Sequence, residues 1–281
     1  MTEFLADNSY GAARVRVARV HRHTERHDFQ EMDVVIRFEG DFESAFTSGS
    51  NKKILPADTI KNTVYAMARE VDEEQIEEFA LRMIEHFLAE NPQLTVVGVD
   101  MAEILWSRVP AGGRPHSHAF HRNGSERRVA MLRGTRDEVV VRSGIENLVL
   151  LKTTGSAFEG FLVDPYTTLA ESRDQLFSTA LNATWLYSRP EIAYRACWQG
   201  VRQIIFDMFA DHQSQSVQHT LYAMGEAILR SYDDVAEVHI QLPTRHYQQM
   251  DLRAFGFDTN DRVYLPSAEP HGIIEARVRK Q

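Results

Sequence analysis

The sequence predicts an α+β protein made of two halves of like plan. Three observations carry this. Apolar residues alternate along several short runs, as in half-buried strands. Four other stretches carry apolar residues at helical spacing. The order strands, two helices, strands occurs twice along 281 residues. Strands in runs with helices in a block favour antiparallel sheets with helices packed on one side.

The elements follow in order. Residues 13–21, A-R-V-R-V-A-R-V-H, alternate as a strand. A polar connector leads to a second run with Met32, Val34, Ile36 and Phe38 on one face and Asp33, Arg37 and Glu39 opposite, so the pair reads as an antiparallel hairpin. A loop with Gly49 precedes a helix at 58–70, with Ile60, Val64, Met67 and Val71 on one side. Asp58 or Thr59 is its expected cap, because a short side-chain oxygen accepts from the first free N–H groups. The stretch 73–90 is the clearest helix: Ile76, Phe79, Ala80, Met83, Ile84, Phe87 and Leu88 form one apolar stripe. Asp72 and Gln75 have capping-box spacing and Asn91-Pro92 is a stop. Strands are expected at 94–106 and at 126–142, the latter broken by a turn at Gly134.

In the second half, strands are expected at 146–153 and 181–187. A helix at about 190–211 turns Val201, Ile204, Ile205, Met208 and Phe209 inward, and one at about 215–231 turns in Val217, Leu221, Met224 and Ile228. Strands at 235–242 and 246–252 close the set. The stretches starting at Ile60 and Val217 look alike, but they fall in the first helix of one half and the second of the other, which fits chance.

Composition bounds the function. Hydrophobic residues make up 43% of the chain, the formal charge is −9, and there is one cysteine, Cys197. The acidic balance argues against nucleic acid as a partner, since phosphate binding rests on Lys and Arg. One cysteine leaves no intramolecular disulfide and no Cys-based zinc site. Beside Trp198 in a helix, Cys197 reads as a buried, inert thiol. No apolar run is long enough to span a bilayer, so no membrane partner is expected. The polar start M-T-E-F-L-A-D-N-S and the end R-V-R-K-Q match neither a signal peptide nor a Ser-Lys-Leu address, so a cytoplasmic protein is expected. His21, His23 and His27, and His116, His118 and His121, invite a metal reading, but no carboxylate is placed convincingly beside either group and no metal is expected. Nucleotide and esterase motifs are absent from the sequence.

Several collinear segments carry a resemblance. They include G-D-F-E-S-A-F-T at 40–47, D-T-I-K-N-T-V-Y at 58–65, L-K-T-T-G-S-A-F-E-G-F at 151–161, Y-T-T-L at 166–169, S-V-Q-H-T-L-Y-A-M at 216–224 and L-P-T-R-H-Y at 242–247. Together they make the chain resemble the uricase (urate oxidase) family over nearly its whole length. The resemblance implies two tandem T-fold units, residues 9–143 and 144–277, in a homotetrameric tunnel-like barrel with sites at subunit interfaces. It implies a small heteroaromatic substrate oxidised by molecular oxygen, with no metal and no organic cofactor.

The resemblance also assigns residues. Phe158 matches the aromatic that stacks on the ring and Leu169 a wall residue. Val217 and Gln218 match the pair that binds one ring edge. Asp58 matches the residue whose backbone N–H contacts the ring, and His246 the histidine of the proton relay. Four positions depart from the family pattern. Ala12 stands for the relay Lys, Ala57 for the relay Thr, Gln175 for the clamping Arg, and Thr244 for the Asn that helps hold oxygen or water.

Gln carries neither the charge nor the fork of a guanidinium. Losing a charged hydrogen bond costs about 1.5–3 kcal/mol, and losing a general base about 10²–10⁴-fold in rate. A substitute charge would have to come from another loop, such as Arg245 or Arg173. The expectation is a uricase-like enzyme of changed substrate or reaction. The alternative is a catalytically silent homologue that binds a heterocycle or serves as a partner subunit.

Overall fold

The computed structural model describes residues 4–71, 74–258, 262–267 and 272–280. The chain divides into two compact units. Unit 1 is residues 1–144 with 186–196, and unit 2 is residues 145–185 with 197–281.

In unit 1, four antiparallel strands follow one another in space as in sequence: β1 (Tyr10–His21), β2 (Asp28–Gly40), β3 (Leu94–Ala111) and β4 (Arg114–Gly134). The alternation in β2 is realised in full, with Met32, Val34, Ile36 and Phe38 all buried. The short helix α1 (Glu43–Thr47) precedes α2 (Ala57–Glu70) and α3 (Ile76–Glu90). Helix α2 packs on β1, and α3 on β3 and β4. All seven stripe residues of α3 are buried. Fully burying a side chain such as Phe79 or Phe87 contributes about 1.5–3 kcal/mol each.

The core of unit 1 also holds charge. Glu77 is 0% and Arg128 is 3% exposed, and their side chains meet at 2.6 Å. The Ser143 hydroxyl donates to the other Glu77 oxygen. Burial pushes the Glu77 carboxyl up, against the pull of Arg128 and Ser143.

In unit 2, the strand order is β5 (Val139–Lys152, from Ile145 onward), β6 (Phe177–Tyr187), β7 (Val235–Arg245) and β10 (Gly272–Arg279). Helices α4 (Tyr194–Asp211) and α5 (Val217–Ser231) follow β6. Val201, Ile205 and Phe209 of α4 are buried, as are Leu221, Met224 and Ile228 of α5, which packs on β7 and β10. Cys197 is buried.

Several elements differ from expectation. Helix α2 begins one residue early, at Ala57, with Pro56 at the cap position. Neither Asp58 nor Thr59 caps it: the Asp58 carboxylate accepts instead from Lys61 at 2.6 Å and Asn62 at 3.0 Å. Helix α3 is closed by Gln75 and Glu78, which exchange the two bonds of a capping box. Asp72 lies outside the described residues. Helix α4 starts at Tyr194, not 190.

Strand β4 begins at Arg114, twelve residues before the expected start, and pairs with a β3 that runs on to Ala111. A separate strand, β5, occupies 139–152 after the turn that follows Gly134. The strand expected at 246–252 shrinks to β8 (Tyr247–Gln249), which among the described residues pairs only with β9 (Tyr264–Pro266). The partner of β7 is the C-terminal β10.

Candidate active site

Unit 2 contains a cavity of about 1250 Å³. Phe158, Leu169 and Gln175 line it from the loops between β5 and β6. Val217 and Gln218 line it from the start of α5, and Thr244 and His246 from the end of β7 and the residue just past it. Seven of the ten positions marked in the sequence thus share one cavity.

The loops are held by backbone bonds. Phe158 N–H donates to Ser172 O at 2.7 Å and Ser172 N–H returns to Phe158 O at 3.0 Å. Ala157 N–H donates to Ser214 O, Ser214 N–H to Gly155 O, and Gln175 N–H to Ser156 O. Three separate segments are thereby tied together around residues 155–158. Gly155 sits at φ +74, a left-handed conformation that glycine adopts without a Cβ penalty. Asp174 completes the knot by accepting from the Thr154 hydroxyl at 2.5 Å and Ser156 N–H at 3.3 Å. The Thr154 bond holds its carboxyl below the usual range.

Phe158 is half-buried and stacks on Phe161, with ring centroids 4.9 Å apart and planes 16° from parallel. A flat face of this kind takes a flat ring by offset stacking. Helix α5 is capped by Ser216, whose hydroxyl accepts from His219 N–H at 3.1 Å. The first N–H groups of a helix and its positive dipole end favour an acceptor-rich or anionic ligand. Thr244 Oγ1 exchanges bonds with the Gly272 backbone, accepting at 3.1 Å and donating at 3.3 Å. His246 is exposed, and its carbonyl is fixed by Ser267 N–H at 2.8 Å.

Two arginines, Arg245 and Arg262, also line the cavity. Arg173 does not: it pairs with Glu159 at 3.0 Å and its side chain is 91% exposed. Arg262 and Tyr264 carry no motif in the sequence. Arg262 lies just before β9, and the pairing of β8 with β9, each only three residues long, holds this segment at the cavity.

Ala12, Ala57 and Asp58 belong to unit 1. Ala12 is on β1 opposite Ile36, beside a bulge before Val15 where Arg14 takes φ +58. Gly11 precedes it for a steric reason: a Cβ there would lie 1.8 Å from Ile36 O. The Tyr10 hydroxyl accepts from Leu55 N–H at 2.9 Å. Ala57 is the exposed first residue of α2. Among the described residues no group of three or more His, Cys, Asp and Glu is placed to hold a metal ion, and no helix is long and apolar enough to cross a membrane.

Antiparallel sheets with helices on them, and in unit 2 a cavity faced by an aromatic ring, a helix start and a strand-end histidine, mark an α+β protein with a pocket of small-molecule size. The family is settled by comparison. The uricase family model matches residues 8–133 and 141–275. Uricase from Arthrobacter globiformis is 38% identical over 277 residues, covering 99% of this chain and 90% of that protein. Uricase from Arabidopsis thaliana is 37% identical, over 98% of this chain and 95% of that protein. The crystal structure of the Arthrobacter globiformis uricase superposes with a TM-score of 0.95 at 37% identity, covering 100% of this chain and 96% of that one. The chain belongs to the uricase family, and its α+β architecture is that of the T-fold.

Proposed function

We propose that this chain is a uricase-family oxidoreductase for urate or a related flat purine-like ring, with a changed substrate or reaction. The ring lies against Phe158, one edge meets Val217 and Gln218, and Leu169 forms a wall. The Asp58 backbone N–H contacts the ring. His246 handles the proton, and Thr244 takes the place beside it where oxygen or water is held. Molecular oxygen is the co-substrate, with no organic cofactor. The working assembly is a homotetramer of two T-fold units per chain, residues 9–143 and 144–277, with sites at subunit interfaces, in the cytoplasm.

The observation that carries this reading is the cavity that gathers Phe158, Gln218, Thr244 and His246. The change of chemistry rests on the side chains at Ala12, Ala57 and Gln175. Two methyl groups cannot move a proton, and an amide brings no charge to an anionic ring. The same alanines favour a second reading, in which the pocket binds its ring and performs no chemistry.

Oxygen uptake with urate, followed together with loss of urate absorbance, tests the proposal. Slow turnover that falls a further hundredfold or so in His246→Ala supports the enzyme. Turnover untouched by that substitution removes the role given to His246. Tight binding with no turnover selects the silent homologue.

A further inference from the structure

We infer that Arg245, and not the residue at position 175, supplies the positive charge that selects an anionic ring in the unit 2 cavity. The inference rests on reading that cavity as a heterocycle site and adds the source of its charge selectivity.

The cavity lining carries three fully charged side chains, those of Arg245, Arg262 and Asp174. The carboxylate of Asp174 is engaged by the Thr154 hydroxyl and Ser156 N–H, so its charge is committed to the loop. The two arginines are in the opposite condition. Neither has an ion-pair or hydrogen-bond partner for its guanidinium among the described residues. Elsewhere the chain pairs arginines readily, as with Arg16 and Asp33, Arg37 and Asp100, and Arg108 and Asp28. A cavity with two unneutralised cations and one engaged anion favours an anionic guest.

Position separates the two arginines. Arg245 lies between Thr244 and His246. Arg262 is anchored at the other end of the β8–β9 ribbon, where Gln249 pairs with Tyr264 and Met250 N–H donates to Val263 O. The paired part of that ribbon is three residues long, Tyr247–Gln249 against Tyr264–Pro266, so roughly 10 Å at 3.3 Å per residue separates its two ends. A ring held beside His246 is therefore served by Arg245. Arg173, which is close in sequence to Gln175, is already paired with Glu159 and stays outside the cavity. A guanidinium offers a planar fork that fits the adjacent acceptors of an ionised ring edge.

The test is calorimetric titration near neutral pH with two probes: urate, which is anionic there, and hypoxanthine, which is almost wholly uncharged. Thermal melts verify that each variant folds, and an exposed, unpartnered Arg245 makes a folding defect unexpected. Arg245→Gln is expected to weaken urate about tenfold or more, as for loss of a charged hydrogen bond, and to leave hypoxanthine within about twofold. Arg245→Lys is expected to keep the preference for urate, and Arg173→Gln to change nothing. Unchanged urate affinity in Arg245→Gln, or equal losses for both rings, overturns the charge assignment and leaves the heterocycle reading standing. A natural protein that binds neither ring overturns both.

Discussion

In unit 2, seven marked residues face a cavity of about 1250 Å³, and the loops that carry them are fastened by reciprocal backbone bonds. In unit 1, two of the three marked positions carry only methyl groups, Ala12 and Ala57, and their polar neighbours are already engaged. The Tyr10 hydroxyl accepts from Leu55 N–H, and the Asp58 carboxylate accepts from Lys61 and Asn62. Unit 2 keeps groups that can hold a ring. The side chains of Ala12 and Ala57 in unit 1 cannot move a proton. On the function proposed above, substitutions in the two units should have different consequences.

The largest effect is expected from the charge buried in unit 1. Arg128→Ala leaves Glu77 fully buried without its cation, which should cost about 3–5 kcal/mol of stability. Denaturant unfolding checks this. A loss below about 1 kcal/mol would mean that the pair is not a keystone of unit 1. Next comes Phe158→Ala in unit 2, which removes the stacking face. Losing one aromatic stack under a base-like ring costs about 1–3 kcal/mol of binding. Urate titration should show the loss with little change in melting temperature. A large stability loss with unchanged binding would make Phe158 a core residue. The smallest effect belongs to Ser216→Ala, which deletes the bond to His219 N–H. About 1 kcal/mol of helix stability is expected to go, together with a modest loss of ring affinity because Val217 and Gln218 begin the same helix. Fraying of α5 by amide exchange, without any change in binding, would separate the cap from the site.

Much of this architecture could be read from local pattern. The β2 alternation and the α3 stripe each match one periodicity without conflict, and burial follows them residue for residue. The residues before 126 in β4 escape that logic. R-P-H-S-H-A-F-H-R-N-G-S is polar on both faces, and it becomes a strand only because it pairs with the end of β3. Strand β10 does alternate, with Ile274 and Val278 less exposed than Ile273 and Arg277, but its pairing with β7 is long-range. The start of α2 departs from its local pattern for a different reason. Asp58 has the chemistry of a cap but also has Lys61 and Asn62 one turn on, and those contacts take its oxygens. Within the site, the marked residues came with motifs. Sequence could name Arg245 and Arg173 as substitute cations, but only geometry distinguishes them, since one lines the cavity and the other is tied to Glu159.

The central proposal is that this chain keeps a ring-binding cavity with His246 and carries methyl groups, at Ala12 and Ala57, where the family relay has Lys and Thr. The most direct measurement is oxygen uptake with urate by the natural protein and by the double variant Ala12→Lys with Ala57→Thr. The account predicts weak turnover in the natural chain and a gain of about a hundredfold or more in the variant, with urate affinity changed far less. Rapid turnover by the natural chain, or a variant that gains nothing while still binding urate, would contradict it.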